Sequence, residues 1–128
     1  MSTRVSLTIT NGTKEKVQCK HILCQDIDGM DVGDTLEAGA TKTYTVSTND
    51  RVFCDWVGME TGDVFKMGMT CPKSSHNSAA GYGNSGLQTY SRTGTPVSFT
   101  FNLGHKCLAD WDNGDEYTGA EPTYGDCS

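Results

Sequence analysis

Val5-Ser6-Leu7-Thr8-Ile9-Thr10-Asn11-Gly12 is the stretch whose reading decides the fold class. Val5, Leu7 and Ile9 stand at every second position, with Ser or Thr between them. Side chains of an extended chain alternate between two faces, so the pattern is that of a half-buried β-strand. The apolar residues are largely β-branched, which suits a pleated surface. The same pattern returns near the other end as Val97-Ser98-Phe99-Thr100-Phe101-Asn102-Leu103-Gly104. Any two amphipathic strands look alike, so the echo is architectural rather than a duplication. Strands bracket the domain, and Phe99 and Phe101 are expected in its core.

The chain between them reads as more strands and turns. Asn11-Gly12 is a strong hairpin signal and predicts that residues 14–23 fold back as a second strand. Alternation there puts Val17, Cys19 and His21 on one face. Asn11-Gly12-Thr13 is also a glycosylation sequon, read first as a turn. Residues 43–47 alternate through Tyr44 and Val46. Residues 52–57 bring Phe53 and Trp56 to the core. After a turn at Glu60-Thr61-Gly62-Asp63, Phe65, Met67 and Met69 mark a strand over 64–70, which Cys71-Pro72 ends because Pro cannot donate to a ladder. Residues 25–40 are polar and turn-rich, and 73–95 read as a long Ser, Gly and Asn loop with one short strand near Leu87.

The expected fold is all-β, an antiparallel β-sandwich of about seven to nine strands. It occupies residues 1–104. An acidic C-terminal tail, 105–128, is expected to pack on it, pinned by Cys107 and Cys127 through each other or the body.

Composition bounds the function. The net charge is −6 and the Lys and Arg residues are scattered, which excludes a basic stripe for nucleic acid. No apolar run approaches the length of a membrane span. Met1-Ser2-Thr3-Arg4 leads straight into a strand without an apolar signal core. A cytoplasmic or non-classically released protein is expected, with a secreted mature form as the alternative. Six cysteines pull toward a disulfide framework, but buried thiols are the competing reading. Cys19 and Cys24 lack the tight spacing of a zinc knuckle.

Catalytic signals are sparse. The chain has three histidines, His21, His76 and His105, and no nucleophile elbow. A small hydrolase using His76 and His105 is the weakest of the readings. Asp110, Asp112 and Asp115 surround Gly114 with oxygen ligands, the chemistry of a calcium site. Their spacing misses the helix-flanked calcium loop, so an acidic turn is preferred. No metal and no other cofactor is expected. Amphipathic aromatics in polar loops suit recognition of sugars or lipid head groups. The expected ligand-binding residues are Lys73, His76, Tyr82, Tyr90, Arg92 and Trp111.

At Thr61-Gly62-Asp63-Val64-Phe65-Lys66, and on through Thr70-Cys71-Pro72-Lys73-Ser74-Ser75-His76-Asn77, the chain resembles the aegerolysins. These are small acidic β-sandwich proteins made without a signal peptide. The family's Trp residues around Cys-Pro are missing here, with Gly68, Met69 and Lys73 nearby instead, and the chain has extra cysteines and an extra acidic tail. The resemblance implies a non-enzymatic module that binds membrane lipids, in the manner of the targeting half of a two-component pore. Taken with the aromatic loops, the expected partner is a membrane lipid head group or a glycan. A disulfide-stapled toxin or effector with a protein partner is the alternative.

Overall fold

The computed structural model describes residues 3–23, 26–48, 51–70, 78–82, 85–90 and 97–105. They form ten strand segments: β1 (Thr3–Asn11), β2 (Val17–Leu23), β3 (Ile27–Asp28), β4 (Thr35–Leu36), β5 (Thr41–Thr48), β6 (Arg51–Gly58), β7 (Val64–Thr70), β8 (Ser78–Tyr82), β9 (Leu87–Tyr90) and β10 (Val97–Leu103). Two mostly antiparallel sheets result, in the orders β3-β5-β1-β10-β9 and β4-β2-β6-β7-β8.

The two echoing stretches are direct neighbours. β1 and β10 pair in parallel, with Leu7 opposite Phe99 and Ile9 opposite Phe101. Directly opposed residues share a face, so two strands with the same alternation match best in phase. All four side chains are fully buried. Their partners across the sandwich come from alternate positions of the second sheet: Val17 and Cys19 on β2, Val52, Cys54 and Trp56 on β6, Phe65, Met67 and Met69 on β7. Phe53 is buried too, but alternation sends it to the opposite face of β6, where it lies outside this core cluster and across from Gly68. Phe53 and Trp56 are thus both fully buried, as expected, but on opposite faces of β6.

The N-terminal hairpin does not form. β1 belongs to the first sheet and β2 to the second. A two-residue hairpin of the Asn-Gly type needs φ > 0 at both central residues, and Gly12 is not among the positive-φ glycines. Asn11 is instead a buried corner post. Its amide donates to the carbonyls of Glu15 (2.7 Å) and Leu36 (3.0 Å), and its Oδ1 accepts from the Thr13 N–H at 3.0 Å. Gly12 is required by close approach. A Cβ there would overlap the Asn102 amide oxygen and lie 2.9 Å from the Leu103 carbonyl. The sequon is thus closed, because Asn11 is fully buried and its amide nitrogen is committed.

Cys19 and Cys54 are buried free thiols. Burial, then Asp34, pushes the Cys19 thiol up to about 12. Burial, then Cys19, raises Cys54 as well. Thiolate is the reactive form. Native protein is expected to leave both unmodified by iodoacetamide, with both alkylated in denaturant, and peptide mass spectrometry distinguishes the two states. Cys24, Cys71, Cys107 and Cys127 lie outside the described residues, as does the tail after His105.

Candidate functional site

The outer face of the second sheet carries most of the chemistry among the described residues. One irregularity shapes it. Between Cys19 and His21 the β2–β6 register shifts: Cys19 faces Trp56, His21 faces Asp55, and Lys20 is left over. This is a β-bulge, which bends a strand and re-aims its side chains. It overturns the expected alternation. Val17 and Cys19 point into the core, while His21 is thrown outward and is 65% exposed. There its Nδ1 meets Asp55 Oδ2 at 3.3 Å, and that carboxylate is only 8% exposed. A buried carboxylate orienting an exposed imidazole is the geometry of a positioned base. Among the described residues, however, no Ser, Thr or Cys side chain hydrogen-bonds to the His21 ring.

Next to the bulge lies a shallow pocket of about 280 Å³, lined by Gln18, Lys20, Val57, Gly58 and Met59. Gln18 is held by donating to the Gly33 carbonyl at 3.2 Å. Met59 begins the β6–β7 hairpin, and its N–H donates to the Lys16 carbonyl at 2.9 Å. Met59 is 53% exposed, and Val64, which faces Val57 across the hairpin, is 45% exposed. The pocket therefore has an apolar rim and a cationic wall.

Glu15 sets the position of that rim. Its carboxylate is buried beneath the hairpin, against the face of Gly58, where a Cβ would lie 2.6 Å from it. Thr61 Oγ1 donates to Oε2 at 2.6 Å, and the N–H groups of Glu60 and Thr61 donate to Oε1 at 2.6 and 3.0 Å. The Thr61 hydroxyl first, then the two N–H groups, hold the carboxyl below its ordinary value of 4.5. Hydrogen bonds to the charged form have this effect. A depressed folded pKa means that the contribution is present above 4.5 and is lost as the pH falls through the folded value. Wild type is therefore expected to lose more melting temperature than Glu15→Gln as the pH is lowered below 4.5. Parallel thermal melts of the two proteins over a pH series check this.

Of the expected ligand-binding residues, Lys73, His76, Arg92 and Trp111 lie outside the described residues. So do Asp110, Asp112 and Asp115 of the calcium alternative. Tyr82 ends β8 and Tyr90 ends β9, the edge strands of the two sheets, which adjoin each other. His105 is exposed beside Gly12, and its N–H donates to the Asn102 carbonyl at 3.3 Å. Among the described residues no group of three His, Cys, Asp or Glu side chains could hold a metal ion, and no helix is long and apolar enough to cross a membrane. Sequence reasoning missed Lys20, Met59 and Glu15. The one local signal was Met59, an apolar residue at the mouth of a turn.

Comparison of the chain with protein-family models and with curated proteins gives no match.

Proposed function

We propose that the chain is a non-catalytic recognition module that binds a membrane lipid head group or a glycan through the outer face of its second sheet. One observation carries the reading: a shallow pocket with a mixed polar and apolar lining opens between β2 and the β6–β7 hairpin, rimmed by solvent-exposed Met59. Binding sites combine apolar walls with a few placed polar groups, and exposed large apolar residues beside such a site mark a contact surface. The scaffold around it is stiff, since both sheets are anchored in one buried core. The resemblance of residues 61–77 to aegerolysins favours the same class of ligand on its own ground, since that segment follows the pocket-lining Val57, Gly58 and Met59 in the chain.

Vesicle co-sedimentation across a lipid panel, run beside a glycan array, tests the reading. Saturable binding to one lipid or glycan class, weakened by Met59→Ser without loss of melting temperature, is expected. Absence of binding to every lipid and glycan would overturn it.

A further inference from the structure

We propose that the pocket beside the β2 bulge is a site for a single oxyanion, a carboxylate or phosphate, presented by a ligand with an apolar flank. This deepens the recognition reading and rests on it.

The argument begins with charge. The chain is acidic overall, yet Lys20 makes no ion pair among the described residues. Four acidic side chains of the neighbouring segments have partners other than Lys20. Glu37 pairs with Lys16 at 3.2 Å, Asp55 with His21 at 3.3 Å, and Glu15 takes three donors from the hairpin. Asp34 Oδ2 accepts from the Asp31 N–H at 2.8 Å. A cation left over in such surroundings is an open anion partner. The bulge is a second, independent observation. Lys20 is its extra residue, set outside the ladder between Cys19 and His21, and bulges re-aim side chains beside functional sites.

The lining then narrows the ligand. Lys20 is the one basic group among the five lining residues, so one anionic group fits. Glu60 and Asp63 on the hairpin and Asp31 beside β2 add acidic side chains to the neighbouring segments, a composition that disfavours polyanions. Val57 and Met59 offer apolar wall rather than hydrogen bonds, so the atoms next to the anion are apolar. A volume near 280 Å³ falls just below the usual range of ligand pockets, roughly 300–1,000 Å³, and suits one head group or one sugar ring. Glu15 holds the hairpin so that this geometry exists before the ligand arrives.

Octyl glucuronide and octyl glucoside separate the charge from the apolar flank, since they differ only in the carboxylate. Phosphatidylcholine vesicles with and without phosphatidic acid test the lipid source of the same chemistry. Wild-type protein is expected to bind the glucuronide or the phosphatidic acid vesicles more tightly than the uncharged partner probe. Lys20→Met is expected to lower that binding tenfold or more, Lys20→Arg to retain most of it, and neither to change the melting temperature. Amide shifts on titration are expected at Lys20, Gly58 and Met59. Preference for glucuronide over vesicles assigns the anion to a glycan, and the reverse assigns it to a lipid. If Lys20→Met binds the acidic probes as wild type does, the oxyanion site is wrong while the recognition reading stands. If wild type binds the charged and uncharged probes equally, the site is likewise wrong. If it binds none of these and nothing in the wider panel, both readings fall.

Discussion

Phe101→Ala is expected to cost about 3–5 kcal/mol of folding stability, the usual penalty for truncating a buried Phe. Phe101 is fully buried on β10, between Ile9 of β1 and Leu87 of β9 in register. Its two neighbours in the sheet are themselves buried, so little can collapse into the space left by the ring. The penalty combines lost transfer free energy with a persistent cavity. A domain of this kind holds only about 5–15 kcal/mol in total, so the variant should be marginal at room temperature. Denaturant unfolding should show a lower midpoint with an unchanged slope, the sign of a pure stability effect. A midpoint equal to that of wild type would mean that Phe101 does not occupy the core position assigned to it. Thr89, on the neighbouring β9 and exposed, provides the contrast: Thr89→Ala is expected to be nearly silent.

Much of this core was legible because a strand writes its burial into alternate residues. Val5, Leu7 and Ile9, and again Phe65, Met67 and Met69, could be placed facing inward from the chain alone. Which strand neighbours which could not, since pairing is a long-range choice. The parallel match of β1 with β10 is invisible until both are seen to carry the same phase. β8 was hidden for a different reason: Ser78-Ala79-Ala80-Gly81-Tyr82 has few strand-favouring side chains, and tertiary context decides such segments. β3 and β4, two residues each, are too short to show a period.

The candidate site was less legible than the fold. A bulge changes the face of every residue after it, so His21 was assigned to the wrong side although its strand was right. Lys20 and Met59 are far apart in sequence and meet only because β2 and β6 pair. Nothing local connects Glu15 with Glu60 and Thr61. The polar loops looked more promising because aromatic residues advertise themselves in a sequence. A pocket assembled from a bulge and a turn does not.

Asn11 gives the sharpest test of the sheet-crossing corner. Asn11→Asp exchanges an amide nitrogen for an oxygen at a fully buried position. The nitrogen donates to two carbonyls, Glu15 at 2.7 Å and Leu36 at 3.0 Å. A carboxylate would face both as a third acceptor. Protonation rescues one contact at most, because a neutral carboxyl has a single donor. The other carbonyl then loses its amide donor, at up to about 1–3 kcal/mol, the Glu15 carbonyl still having the Thr13 hydroxyl at 2.9 Å. Burial and the two carbonyl dipoles raise the pKa of the new carboxyl above its unfolded value. A raised folded pKa makes the variant most competitive at low pH, and its penalty grows by about 1.4 kcal/mol per pH unit above the unfolded carboxylate value until the folded pKa is reached. The total at neutral pH is expected to exceed that of Phe101→Ala. Asn11→Ala, which brings no titrating group, should show a penalty independent of pH. Denaturant melts of the three proteins at pH 4.5 and 7 check this. If Asn11→Asp is no worse than Asn11→Ala at pH 7, the Asn11 amide is not committed to those carbonyls, and a surface hairpin at Asn11-Gly12 becomes the better description of the N-terminal strands.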